Sequence, residues 1–235
     1  MPTVIIMDAA GLALGAAAGC LFKKHISAQL KESINLALAV ISAGIGVQLL
    51  VQAVHMAAAV LALLTGGLIG HALGIDRRLA ALSGRLPGTK GGNAAASSQV
   101  SDPAQVVLMA FTLCCISTTG IIGALNLGFQ GDPTVLTTKA IMDCVTAVFF
   151  AAESGFVLAV VSIPLCAILM AFYGLSGILM PHLTPEMIGD FAACGGMIQL
   201  LNGMRIAKLK NPPVADFMPA LVLVFFFSMA WAKLL

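Results

Sequence analysis

Charged residues are scarce in this sequence: they fill 9% of 235 positions, against roughly 25% in an average soluble domain. With 60% apolar residues and a mean hydropathy of +1.03, the chain has too little polar surface to cover a core in water, which excludes a soluble globular domain. Blocks of like charge are missing and the net charge is only +2, so a disordered chain and a phosphate-tracking stripe for nucleic acid are excluded too. Cysteine pairs are absent. The six cysteines, at 20, 114, 115, 144, 166 and 194, form no C-x-x-C unit and lie in or beside apolar runs, where they read as small fillers rather than disulfide or zinc residues. Four scattered histidines have no metal spacing, and no nucleophile elbow, P-loop, H-E-x-x-H or paired hydrolytic carboxylates occur. The chain therefore does not read as an enzyme, and neither a metal nor another cofactor is expected.

What is present is apolar sequence in lengths that match a bilayer. Eight runs stand out: 4–22, 34–54, 56–73, 104–127, 134–152, 155–180, 187–204 and 213–231. The expected fold is an all-α, polytopic transmembrane helix bundle of about eight spans. The fifth run is short and carries Lys139 and Asp143, which leaves a full span, a broken helix or a re-entrant segment open and sets the count at seven in the last case. Basic residues bear on this choice. Lys23, Lys24 and Lys31 follow run one, Arg77, Arg78, Arg85 and Lys90 follow run three, and Arg205, Lys208 and Lys210 follow run seven: ten of the twelve basic residues. With eight crossings all three clusters fall on one side, which the positive-inside rule makes cytoplasmic, and both termini lie outside.

The chain reads as a single membrane domain, 1–235, with spans 1–3 in 1–75, a flexible cytoplasmic loop at 75–103, central spans 4 and 5 in 104–154 and spans 6–8 in 155–235. The loop is assigned from its small, polar centre, Gly88 to Ser98. Ala17-Ala18-Gly19-Cys20 looks superficially like a lipoprotein cleavage site, but Asp8 stands where a basic leader would be, and an uncleaved first span is expected. Sliding the chain on itself so that Gly44 meets Gly203, an offset of 159, lays spans 1–3 over spans 6–8. Five crossings separate the two triplets, so they run in opposite directions and form a 3+3 inverted repeat around a polar two-span centre, an arrangement common among secondary transporters.

Two glycine ladders, Gly11, Gly15, Gly19 and Gly66, Gly70, Gly74, repeat every fourth residue and offer one helix face for close backbone approach, within the chain or across an oligomer. Asp132-Pro133-Thr134 reads as a helix start with Asp132 as the cap acceptor. From there Lys139 lies about 9 Å and Asp143 about 15 Å down the helix, which puts Asp143 near the midplane. Four apart, they share a face and can pair. An ionisable residue inside a span is a functional candidate by default, so these two head the ion- and substrate-site set, joined by Asp132, Thr138, Glu153, Asn202 and Asp216. Pro164, mid-way along the sixth run, is expected to kink it. His55 and His71 lie at span ends, where interfacial histidines are common.

Gly131-Asp132, Leu136, Lys139 and Asp143, then Gly195-Gly196 with Gly203, then Val214-Ala-Asp-Phe-Met-Pro219-Ala-Leu221 resemble the bacterial membrane proteins of the "domain of unknown function five-five-four" family over nearly the whole chain. The resemblance implies a multi-pass inner-membrane protein of a kind often labelled as a transporter, with Lys139 and Asp143 at motif positions and no implied substrate. The sequence departs from the pattern at Asp216, where Asn is expected, and at Glu153, where a neutral hydroxyl residue is expected. The leading expectation is a secondary transporter or small-solute permease of the bacterial inner membrane, coupled to H+ or Na+ through Asp143 with Lys139 as counter-charge. The alternative is a non-transporting scaffold or regulatory protein, a homo-oligomer built on the glycine ladders, a dimer first of all. The bilayer is a partner in both, and nucleic acid in neither.

Overall fold

The computed structural model describes residues 2–22, 28–83, 103–115 and 117–234. Among these every regular element is helical, as lipid requires of segments that must satisfy their own backbone hydrogen bonds. In chain order they are α1 (Thr3–Phe22), α2 (Ala28–Leu50), α3 (Met56–Leu73), α4 (Ile75–Ser83), α5 (Pro103–Cys115), α6 (Thr118–Phe129), α7 (Thr134–Ser154), a 3-10 stretch (Gly155–Val161), α8 (Ser162–Leu179), α9 (Pro185–Ile206), a second 3-10 stretch (Val214–Phe217) and α10 (Met218–Leu234). Among the described residues six segments are long and apolar enough to cross a membrane; α2, with its polar first turns, and α9, with Glu186, Asp190 and Arg205, are not among them. The outer surface is apolar. Leu14, Leu21, Leu68 and Ile178 are all more than two-thirds exposed, side chains that a lipid solvent accommodates and water does not.

Four helix pairings organise the bundle. The first ladder packs on α7: Gly11 and Gly15 face Cys144, and Gly19 faces Val148, so α1 and α7 run parallel. The second packs on the start of α10: Gly66 meets Ala220 and Gly70 meets the Asp216 carbonyl, so these two run antiparallel. In the same way Gly46 against Gly196 and Ala39 against Gly203 set α2 antiparallel to α9, and Gly120 against Leu169 with Gly128 against Ser176 set α6 parallel to α8. Both ladders are thus filled by helices of the same chain. Gly74, the last ladder glycine, has open space around it; with φ +61° it ends α3 in the left-handed conformation that glycine adopts without a steric cost.

The structure bears on three other stretches of the sequence. The fourth apolar run is interrupted at Ser117, whose extended backbone (φ −81°, ψ 122°) precedes the start of α6 at Thr118. Hydroxyl residues compete for backbone hydrogen bonds and favour helix starts over helix interiors, and the run Ser117-Thr118-Thr119 before Gly120 supplies them. Pro164 lies just after the point where the helix of the sixth run changes from 3-10 to α form. The sixth run opens in 3-10 form, and Pro164, which has no N–H to give the carbonyls of that stretch, sits in the first turn of α8. Finally, the 75–103 connection begins as a helix: α4 buries Ala80 against Leu108 of α5. Residues 84–102 and the expected cytoplasmic lysines 23 and 24 lie outside the described residues.

Candidate functional site

The site begins at the head of α7. Asp132 accepts hydrogen bonds from the Thr134 backbone N–H (2.9 Å) and hydroxyl (2.6 Å), which hold its carboxyl below the ordinary carboxylate range and fix the helix entry. One and a half turns on, Lys139 points inward at 4% exposure, and its ammonium donates to Asp143 one turn further along. The expected i,i+4 pair is present. It has a third member that spacing within α7 cannot supply: Lys139 Nζ also donates to Asp8 Oδ2 on α1 at 3.2 Å. Asp8 is fully buried and its Oδ1 has no hydrogen-bonding partner. Gly120 of α6 leaves room for the lysine stem, and the Cys114 thiol of α5 donates to Asp143.

Beside this cluster lies a cavity of about 410 Å³. It runs between α2 and α7 and is closed by the first turn of α6 and by Gln199 of α9. Lys139 and Asp143 form part of its wall, with Thr138 and Thr146 on the same helix, Gln48 and Gln52 opposite, and Thr119 at the α6 start. The rest of the lining is largely apolar, including Leu38, Ile41 and Met142. A mostly apolar cleft with a few convergent polar groups is the usual form of a small-molecule site. Ser42, also in the wall, donates to the Gln199 carbonyl at 3.1 Å and ties α2 to α9 across the floor. The break in the fourth span faces the cavity through Ser117, while on its other side the Cys115 thiol reaches the Val161 carbonyl (3.8 Å), where the 3-10 stretch turns into α8. Two helix discontinuities therefore meet next to the buried charges.

The family model described as "Protein of unknown function (DUF554)" matches residues 3–229. The chain belongs to this family. It is 34% identical over 229 residues to the Escherichia coli (strain K12) "Uncharacterized protein YqgA", covering 96% of this chain and 95% of that one. It is 22% identical over 215 residues to the Bacillus subtilis (strain 168) "Uncharacterized membrane protein YdfK", covering 89% and 88%. No solved structure matches it.

Of the remaining candidates from the sequence, the fold brings only Thr138 to the cavity, where its hydroxyl donates back to the Thr134 carbonyl at 3.0 Å. Asp132 stays at the helix entry. Asn202 is buried away from the cavity wall and accepts from the Thr112 hydroxyl (3.3 Å), joining α9 to α5. Glu153 closes α7, and its side chain lies outside what the structure describes. Asp216 belongs to a separate polar cluster: it accepts from the Asp76 backbone N–H (2.7 Å) and lies 3.5 Å from His71 Nδ1, while Asp76 accepts from Ala215 N–H (3.3 Å) and pairs with Arg205 (3.6 Å). Burial pushes the Asp76 carboxyl above its ordinary range, against the opposing pull of Arg205. These contacts lock α4 to α9 and α10.

Asp190 makes a third buried knot. With no exposure, it accepts from the N–H groups of Val54 (3.0 Å) and His55 (2.6 Å) through Oδ1 and from the Ser228 hydroxyl (2.6 Å) through Oδ2, which also lies 3.1 Å from His55 Nδ1. It holds the α2–α3 turn onto α9 and α10. Asp190→Asn keeps one acceptor oxygen but turns an amide N–H₂ toward either the backbone donors or Ser228, so we expect a loss of about 1–2 kcal/mol, read as a lower unfolding temperature in detergent.

Proposed function

We propose that this protein is a secondary transporter or small-solute permease of the bacterial inner membrane, coupled to an ion or proton through the Lys139–Asp143 site. The observation that carries this reading is the 410 Å³ cavity whose wall includes a buried, intramembrane ion pair. Burying charges costs several kcal/mol each even when they are paired, so a pair placed beside a solute-sized cleft is suited to binding and release rather than to packing alone.

Eight crossings fit the helix directions. Because α7 lies parallel to α1 from Asp8–Lys139 to Gly19–Val148, it spans whatever depth α1 spans, which favours a full fifth crossing over a re-entrant one. The antiparallel pairs α2/α9 and α3/α10 are the directions that eight crossings demand; with eight crossings the basic clusters fall on one face, cytoplasmic by the positive-inside rule, with both termini outside. Exchanging α1–α3 for α8–α10 and α7 for α6 maps each of the four pairings onto one of the same kind, as the 3+3 inverted repeat requires. Discontinuous helices at a repeat interface are where such proteins place their sites.

The test uses purified protein in proteoliposomes incubated with a bacterial small-metabolite extract under an imposed pH or sodium gradient, with the lumen analysed by mass spectrometry. The expected result is gradient-dependent accumulation of a solute that is lost in Asp143→Asn while the variant stays folded. A lumen matching that of protein-free vesicles under both gradients, or full accumulation by Asp143→Asn, would overturn the reading.

A further inference from the structure

The buried cluster does not balance. Asp8 and Asp143 present two carboxylates to the single ammonium of Lys139, which leaves one negative charge in excess at a place where Asp8 is fully buried and Asp143 is 8% exposed. An uncompensated carboxylate in such surroundings is costly, and this cost draws a positive charge to the group. Among the described residues, the other titratable groups facing the cluster are the thiols Cys114 and Cys115 of α5, which are neutral as thiols and supply no positive charge, and Cys144, next to Asp143, packs on Gly11 and Gly15. The unpartnered oxygen, Asp8 Oδ1, marks where the missing charge is felt. A metal cation needs several oxygens around it, as hard cations do generally. A proton needs one.

We propose that Asp8 and Asp143 together hold a single exchangeable proton, and that Lys139 pairs with whichever carboxylate is bare. With the proton on Asp8, Lys139 closes on Asp143, the arrangement seen; with the proton on Asp143, Lys139 closes on Asp8, a neighbour it already touches. Loading adds one proton to the pair and takes the cluster from a charge of minus one to zero; unloading reverses it, with no other bond made or broken. The proton enters and leaves through Asp143, the carboxylate in the cavity wall, whereas Asp8 is sealed behind the lysine. This deepens the transport reading, on which it rests for its purpose: it makes the coupling ion a proton and assigns Asp8 to the same site.

Carboxyl infrared spectroscopy of the detergent-solubilised full chain tests this without any transported solute. Read as difference spectra against the wild type at neutral pH, the protonated-carboxyl stretch of one group is expected to vanish in Asp8→Asn and equally in Asp143→Asn, since each leaves one carboxylate matched to Lys139. Lys139→Met is expected to gain one further protonated carboxyl. Retention of the wild-type band in both Asn variants overturns the proposal, as does a wild-type band that bleaches when sodium is raised at constant pH, which would make the exchangeable charge a metal cation. Should Lys139→Met fail to fold, the two Asn variants carry the test. Failure to find a transported solute would leave the carboxyl count untouched, so the two readings fail separately.

Discussion

Lys139→Met is expected to destabilise the protein by about 3–5 kcal/mol at neutral pH, the cost of removing one partner from a buried ion pair. Methionine retains most of the lysine stem beside Gly120, so little packing is lost and the penalty is electrostatic: Asp8 and Asp143 remain inside the bundle without their ammonium. The pH dependence identifies the cause. In the variant both carboxyls must hold protons in the folded state, one more than in the wild type, whereas in the unfolded chain both release them above the ordinary carboxylate range. Stability relative to wild type is therefore recovered as pH falls and lost as it rises, by about 1.4 kcal/mol per pH unit for one extra proton. Thermal unfolding in detergent between mildly acid and neutral pH measures the slope. A deficit that does not change with pH would assign the loss to packing.

How far the site can be read from sequence depends on the separation of its parts along the chain. Lys139 and Asp143 are four apart on one helix, so their pairing follows from helix geometry. Asp8 is 131 positions from Lys139, and only the packing of α1 on α7 brings them together. Its signal was nevertheless present: a carboxylate inside the first apolar run, six residues after Pro2, carries the same insertion cost as Asp143 and implies a buried cation somewhere. Asp216, His71, Asp76 and Arg205 illustrate the same limit. Each is visible as a polar residue near a span end, but their cluster exists because α3 lies along α10 and α9 ends beside α4.

The spans themselves were legible because length and hydropathy are local properties. The elements that depart from simple spans were less so. The fourth apolar run reads as continuous because hydropathy averages over Ser117, Thr118 and Thr119, whereas helix continuity depends on backbone conformation, which is extended at Ser117. Both α2 and α9 carry more polar residues than the six long apolar helices. In α9 Asp190, Asn202 and Arg205 are buried against neighbouring helices. Helix-by-helix hydropathy does not register a polar group that another helix satisfies.

Gly15→Ala is expected to be as damaging as the loss of Lys139, and Gly11→Ala nearly harmless, although both glycines lie on one ladder four residues apart. A Cβ on Gly11 would sit 3.5 Å from the Cys144 Cβ and 3.6 Å from the Ala140 carbonyl, which is ordinary contact. On Gly15 it would overlap the Cys144 carbonyl oxygen, and backbone cannot rotate aside as a side chain can. To relieve that overlap α1 must move off α7, which forfeits the packing of Gly19 against Val148 and stretches the Asp8–Lys139 contact on the same face. Overpacking alone costs about 1–3 kcal/mol. With the buried ion pair disturbed as well, a loss above about 3 kcal/mol is expected, against a change within about 1 kcal/mol for Gly11→Ala, where alanine's better helix propensity offsets any crowding. Paired unfolding measurements on the two variants decide it. Because the ladder is filled by α7 of the same chain, the Gly15 variant should lose stability at every protein concentration; a loss that disappears on dilution would instead place the ladder at a contact between chains.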